Sequence, residues 1–507
     1  MTYKEARVYL DEMSRYGSVL GLDSIRGLLR ELGNPQDNLK FIHIAGTNGK
    51  GSVLAYTSTI LSEAGYRTGR YVSPTVVAYL ERIQIDGMWI PEEKFAENTA
   101  KVRDAIVRLE AAGKPVPTVF EAETAIAFLY FCDMKCDFVV LEAGLGGELD
   151  ATNIIRNTVC AVFTPISRDH IGVIGNTVEE IAENKAGIIK PGCMAVSAAQ
   201  TECVAKVLRD CMRKKDRMTD RTDEPEFFQA EPEKARITAE NSGGITLSYK
   251  EFEDIHTAMA GEYQKGNLVT ALEVVRALRA AGYAADIDAV RRGAEKTVWP
   301  GRFERIGEKP EFILDGAHNE DAALKLRASV ERYFPGRRLL FIMGVFRDKE
   351  YERIAQIMCP LATSVYTVEL PDRRRGLPAR ELAETAGKYC KDVRAFQEEE
   401  ANGRGCSSGW KDSGSRGAVS DWKDSRNRGA MSGGEDSKIR ERHCHAGESI
   451  RMAAAAAMEA ARPDDVILAF GSLSYLQNMR EAYEDIVKQA DAWRNAGGIE
   501  KKRGDHR

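Results

Sequence analysis

A strand, a glycine-rich turn and a helix follow one another without interruption from Leu39 onward, and this succession restricts the fold more than any other feature of the chain. LKFIHIA has the length and apolarity of a buried strand, GTNGKGS turns, VLAYTSTILSEAG continues as a helix, and YRTGRYVS returns as a second strand ending at Ser73. This is a βαβ unit. Further apolar runs at 137–143, 158–164 and 193–198 alternate with helical stretches at 92–112, 119–133, 177–189 and 201–215. Strands separated by helices predict a doubly wound, mainly parallel sheet of the α/β class. A second alternation begins after Trp299-Pro300-Gly301: EFILDGA, a helix over 319–333, RLLFIMGVF, SVYTVEL and DVILAFGS. Pro300 and Gly301 break the helix before them. The chain therefore reads as a P-loop-type domain over 1–297 and a smaller, Rossmann-like α/β domain over 298–507. Ligands of such sheets bind at the carboxyl ends of strands, which puts the expected site in the crevice between the halves.

Composition narrows the partners. The chain of 507 residues carries 72 basic and 77 acidic side chains, a net charge of −5. That balance argues against broad attraction to nucleic acid or to an anionic membrane surface. MTYKEARVYLDEMSRYG lacks the basic-then-apolar pattern of a secretory signal, and no apolar run approaches the roughly 20 residues of a membrane span. The ten cysteines include no C-x-x-C pair, and Cys132 and Cys136 sit in a helical pattern that suits burial as small hydrophobes. The expectation is a cytoplasmic monomer with reduced thiols and small-molecule partners. One segment fits neither domain: 401–447 is rich in Gly, Ser, Arg and Asp and repeats WKDSGSRGAVS from Trp410 as WKDSRNRGAMS from Trp422. It reads as a low-complexity, disordered insertion, with a recognition tail using the two tryptophans as the alternative.

AGTNGKGSV at 45–53 sits where a phosphate loop must sit, between a strand and a helix. Gly46, Thr47, Asn48, Gly49, Lys50, Gly51 and Ser52 form the candidate cradle, with backbone N–H groups toward phosphates, Lys50 toward the terminal phosphates and the Ser52 hydroxyl toward Mg²⁺. The strict pattern G-x-x-x-x-G-K-[ST] fails twice, since Ile44 holds the first glycine position and Gly51 follows the lysine. Glu142 ends the strand run DFVVLEA before the turn GLGG, where a carboxylate would face the crevice; a salt-bridged structural glutamate is the alternative. His170 taken alone reads as a structural histidine, Ser73 as a turn-capping serine, and Lys185 as a solvated helix residue. Asp315 and His318 follow the strand EFIL at a strand-to-helix turn, and Arg302 either contacts phosphate or pairs with Glu304.

LGNPQDNLKFIHIAGTNGKGSV resembles the signature of the folylpolyglutamate synthase and dihydrofolate synthase family, a branch of the Mur-ligase superfamily of ATP-dependent amide-forming ligases. The resemblance continues in order through YVSP, ERI, FEAETAIAF, LEAGLGGELDATN, DHIGVIGNTVEEIAENKAGIIKPG, YQKGNLVTAL, WPGRFE, DGAHN and FGSLSYL. It implies ATP-dependent addition of L-glutamate to the γ-carboxyl of a folate through an acyl phosphate, with dihydrofolate synthesis from dihydropteroate as a second activity. It also implies two Mg²⁺ sites, with Ser73 and Glu142 at the first and His170 at the second. Lys185 matches the family lysine that carries a CO₂-derived carbamate, which requires a neutral amine and hence a depressed pKa. Asn267, Arg302 and Asp315 match nucleotide contacts, and His318 lies toward the incoming amino acid or phosphates. Arg82, Phe120 and Ser472 are candidate substrate contacts, with N-capping an equal account of Ser472. The chain departs from the family pattern at Thr75, Glu148 and Tyr263. The rival readings are a Mur-type ligase for another acid and a nucleotide-binding paralogue without turnover.

Overall fold

The computed structural model describes residues 1–13, 21–217, 227–397 and 436–504, with backbone alone over 436–447 and 493–504. The repeat around Trp410 and Trp422 lies outside the described residues. The last part of the expected insertion, from Asp436, belongs to the helix Asp436–Ala460.

Two open sheets organise the chain. The first has eight strands in the spatial order Met88–Trp89, Ile83–Ile85, Thr68–Tyr71, Phe138–Glu142, Phe41–Ala45, Thr158–Phe163, Met194–Ser197 and Phe227–Gln229. All neighbours are parallel except at the hairpin edge, where Ile83–Ile85 runs antiparallel to both strands beside it. Phe41–Ala45 and Phe138–Glu142 are buried at every position. Strands covered on both faces have no side left for alternation, so they are apolar runs rather than alternating ones.

One face carries the helix Lys50–Glu63, packed by Glu262–Ala280 and Ile287–Lys296. Ten of the fourteen residues of Lys50–Glu63 are buried, which is why it shows no polar stripe. The opposite face carries Tyr3–Met13, Asp23–Glu31, Glu92–Ala111 and Val119–Asp133 around Phe41, Tyr71 and Phe128. Thr118 caps Val119–Asp133 with a capping box, and Glu121 also accepts the N–H of Ile25, tying two helices together.

A three-stranded antiparallel sheet, Arg236–Asn241, Gly244–Tyr249 and Phe252–Thr257, packs with the helices Lys50–Glu63, Glu262–Ala280 and Ile287–Lys296 on the first of these faces. Sequence reasoning passed over it, because its edge strand is mostly exposed and carries little apolar pattern.

The second sheet has six strands in the order Glu304–Glu308, Glu311–Leu314, Val466–Phe470, Leu339–Met343, Ser364–Val368 and Val393–Phe396. Only its first pair is antiparallel. Helices Glu320–Tyr333, Tyr351–Met358 and Ala379–Ala386 cover one face, and Asp436–Ala460 and Leu476–Gly504 the other. Among the described residues no helix is long and apolar enough to cross a membrane, and all the cysteines are free.

Candidate active site

The glycine-rich turn is clamped from two sides. Thr47 N and Asn48 N donate to the carbonyl of Pro165 at 2.9 and 3.4 Å, and Thr47 Oγ1 pairs with the backbone of Ser167. Those two amides are therefore committed to the neighbouring loop. The first intrahelical donor is Val53 N, to Gly49 O, which leaves the N–H groups of Lys50, Gly51 and Ser52 at the open helix end. The cradle expected over Gly46–Ser52 narrows to these last amides. Gly46 and Gly49 both have positive φ, and each is crowded: a Cβ would stand 1.9 Å from Thr164 Oγ1 and 2.5 Å from Asn267 Oδ1 respectively. Asn267 and Gln264, from Glu262–Ala280, brace the turn from the other side, with Gln264 Nε2 donating to Ser52 Oγ at 3.4 Å.

Two lysines converge on the turn. Lys50 Nζ donates to Gly46 O at 3.2 Å and to Thr47 O at 3.4 Å, and Lys185 Nζ donates to the same Gly46 carbonyl at 3.0 Å. Lys185 is 3 % exposed, so it is not a solvated helix residue. Burial first, and the Lys50 charge second, pull its pKa down to about 7. The GLGG turn makes this burial possible, because Gly147 lies against the backbone of Lys185 closely enough that a Cβ would sit 2.7 Å from the Lys185 carbonyl oxygen.

Glu142 closes its strand beside Ser73, whose N–H reaches Glu142 Oε2 at 3.4 Å. Burial holds this carboxyl above its ordinary range, opposed by Lys50, the Ser73 N–H and Arg302. Glu142 makes no ion pair among the described residues, so the salt-bridged alternative has no partner here. A buried anionic oxygen without a cation suits a hard divalent ion. No group of three His, Cys, Asp or Glu side chains among the described residues is arranged to hold a metal. Such an ion would thus be completed by ligand and water oxygens. His170 stands in a backbone with φ of 48°, half-exposed, 3.6 Å from Asp169 Oδ2. Burial, with Lys349, Lys185 and Lys50, lowers its pKa.

The second sheet contributes the opposite wall. Asp315 is buried and accepts from Tyr263 Oη at 2.6 Å, Phe303 N at 2.9 Å and Ala317 N at 2.8 Å. His318 Nδ1 lies 2.7 Å from Gly316 O, so the proton is on Nδ1 and Nε2 is left as an acceptor. Burial pushes His318 down to about 4, so it is neutral at pH 7. Asn48 Nδ2 reaches across to Asp321 Oδ2 at 2.7 Å. Between the halves lies a cavity of about 360 Å³ lined by Asn48, Ser52, Tyr263, Asn267, Arg302 and Asp315, among others. Glu304 pairs with Arg480 instead of Arg302, which leaves Arg302 facing this cavity.

Of the three candidate substrate contacts, Phe120 and Arg82 both lie against Tyr71, and Ser472 stands apart on the second sheet. Phe120 opens its helix with its ring tip against Gly144. Arg82 is engaged in a buried ion pair with Glu123 beneath the Tyr79 ring. Ser472 caps the turn Leu473–Tyr475 through Ser474 N. Lys349 was missed by sequence reasoning, although its charge acts on both His170 and His318. The signal available was its place just beyond the carboxyl end of Leu339–Met343.

The Mur ligase middle domain matches residues 44–275, and the Mur ligase glutamate ligase domain matches 301–404. The chain is 34% identical over 367 residues to a dihydrofolate synthase/folylpolyglutamate synthase of Bacillus subtilis, covering 72% of this chain and 84% of that protein. The crystal structure of a folylpolyglutamate synthase from Thermotoga maritima superimposes with a TM-score of 0.73 at 29% identity, over 94% of this chain and 96% of that one. The E. coli FolC structure in complex with DHPP and ADP gives 0.73 at 25% identity, over 96% and 98%. The ordered motifs, the two matched domains and the near-complete coverage agree, and the chain belongs to the folylpolyglutamate synthase/dihydrofolate synthase family of Mur ligases.

Proposed function

We propose that the protein is an ATP-dependent ligase that adds L-glutamate to the γ-carboxyl of a folate, with dihydrofolate synthesis from dihydropteroate as a second activity of the same site. The observation that carries this reading is the meeting of Lys50 and Lys185 on one carbonyl of the glycine-rich turn, opposite Arg302 across the cleft. The folate carboxylate attacks the γ-phosphorus of ATP and ADP departs, leaving an acyl phosphate. The glutamate amine then attacks the acyl carbon, phosphate leaves, and the amine loses its proton. Chemistry of this kind needs positioning and charge stabilisation more than a protein nucleophile.

In this reading the amides at the start of Lys50–Glu63 bind phosphate oxygens, and Lys50 and Arg302 balance their charge. Asn267 and Asp315 lie at the nucleotide, and Phe120, Arg82 and Ser472 at or behind the acid and amino-acid substrates. Ser73 and Glu142 would hold one Mg²⁺ and His170 a second. When bound, Mg²⁺ neutralises phosphate charge during transfer. Lys185, whose pKa burial and Lys50 pull down to about 7, would attack CO₂ through the nitrogen of its neutral amine and release a proton, giving a carbamate anion. Neutral His318, with Nε2 open, would accept a hydrogen bond from the incoming amine and orient it, while its depressed pKa leaves the amine proton to be lost to water. A domain boundary near 298, monomeric action and a cytoplasmic setting belong to the same reading.

The test is ADP release with glutamate across dihydropteroate, dihydrofolate and tetrahydrofolate. Release that requires both glutamate and one of these acids supports the reading. Nucleotide binding without such release would leave the paralogue reading in its place.

A further inference from the structure

A second cavity, of about 400 Å³, lies behind the glycine-rich turn, on the face of the first sheet that carries Lys50–Glu63. It is bounded by the hairpin edge on one side and by Val298–Pro300, between the two sheets, on the other. Its size falls in the range of small-molecule sites. The charged groups around it are nearly all spent. Glu81 accepts the N–H groups of Val76, Val77 and Ala78, Asp86 accepts from Ser62 Oγ and Thr68 N, and Glu63 pairs with Arg292 and Lys296.

Arg70 is the exception. It is 8 % exposed, lines the cavity, and has one hydrogen bond among the described residues, from Nη2 to Thr59 Oγ1 at 2.5 Å. Among the described residues no carboxylate lies within ion-pair distance of it. Burial lowers its pKa to about 10, with Asp86 opposing from a distance, so it stays cationic at neutral pH. A buried guanidinium without an anion is costly unless something else supplies one. Two indoles complete the walls: Trp89, 42 % exposed on the hairpin, and Trp299. Trp299 also packs on Gly51 of the turn so closely that a Cβ there would stand 2.6 Å from its Nε1.

We infer that this cavity is an accessory site for a small aromatic carboxylate, whose anion pairs with Arg70 and whose ring lies against Trp89 and Trp299, and that its occupancy acts on nucleotide binding through the Trp299–Gly51 contact. Arg70 offers a planar fork that matches a carboxylate, and the two indoles offer flat apolar surface to the body attached to it. The site lies on the opposite face of the sheet from Phe120 and does not share lining residues with the cleft that holds Asn267 and Asp315.

The test uses the full chain and does not depend on turnover, so its failure is separable from failure of the ligase reading. Benzoate and its neutral isostere benzamide are titrated by calorimetry against the wild type, Arg70→Gln and Val298→Glu. Val298 is 63 % exposed and lines the cavity, so its variant places a repelling carboxylate there with little risk to folding. Benzoate binding that falls at least about 10-fold in both variants, with benzamide weak throughout, is the expected result. Retention in Val298→Glu, or equal binding of benzamide, overturns the site. The affinity of a non-hydrolysable ATP analogue, measured with and without saturating benzoate, should shift at least about 3-fold. An unchanged affinity overturns the coupling to the turn.

Discussion

Lys185 shows how far a side chain's surroundings can change its chemistry. On the periodicity of IAENKAGIIKPG it is a surface cation, yet its amine is buried against Gly46 O, beside Lys50. Desolvation and a like charge both disfavour the ammonium, and the result is a lysine near pKa 7. Carbamylation should therefore increase with pH through neutrality, from a mostly protonated amine at about pH 6 to a mostly neutral one at about pH 8. A ¹³C-bicarbonate signal that grows over that range and is absent in Lys185→Arg is the expected outcome. Lys185→Ala should lose activity by about 10- to 100-fold and recover part of it with an added short-chain carboxylic acid. Glu142 has the opposite problem, a carboxylate in a buried place with no cation in contact among the described residues. Glu142→Gln keeps the shape and removes the charge, so the Mg²⁺ concentration needed for half-maximal activity should rise by about 10-fold, with folding little affected. An unmoved Mg²⁺ titration would show that the carboxylate does not meet the ion.

At the scale of elements, the turn between Phe41–Ala45 and Lys50–Glu63 is shaped by what packs on it. Gly49 has φ of 92° and faces the Asn267 amide, so Gly49→Ala meets both backbone strain and a contact of 2.5 Å. The variant should lose nucleotide affinity by about 10-fold or more, measured with a non-hydrolysable analogue, while far-ultraviolet circular dichroism stays that of the wild type. Much at this scale was legible in the sequence. The helices expected at 92–112 and 119–133 occur as Glu92–Ala111 and Val119–Asp133, and the runs at 137–143 and 158–164 contain the strands Phe138–Glu142 and Thr158–Phe163. These elements are long or fully buried, so their pattern is strong. The strands Arg236–Asn241 and Phe252–Thr257 carry polar residues on an exposed face and left no comparable trace. The amides of Thr47 and Asn48 were also beyond reach, because their partner, Pro165, is more than a hundred residues away and joins them only through the fold.

The whole molecule is held closed by contacts that no local pattern encodes. Asn48 meets Asp321 and Asn319, and Tyr263 meets Asp315, each pair joining groups far apart in the chain across the cleft. Tyr263 stands out because it occupies a position where the sequence departs from its family, and its phenol supplies one of three hydrogen bonds to a buried carboxylate. Burial raises the Asp315 pKa and the Tyr263 hydrogen bond lowers it. Tyr263→Phe removes the lowering contribution, so the native carboxyl holds its proton to higher pH than in the wild type. At neutral pH, where the unfolded chain carries an ionised Asp315, the variant must either bury a less well solvated anion or bind a proton. The loss of stability, about 1.5–3 kcal/mol for a hydrogen bond to a charged group, is therefore present at neutral pH. On acidification the carboxyl is protonated in both proteins, and the difference should shrink. Urea unfolding of the two proteins at neutral and at mildly acid pH measures this directly. A difference that did not depend on pH would mean that Tyr263 contributes packing across the cleft and not the solvation of Asp315.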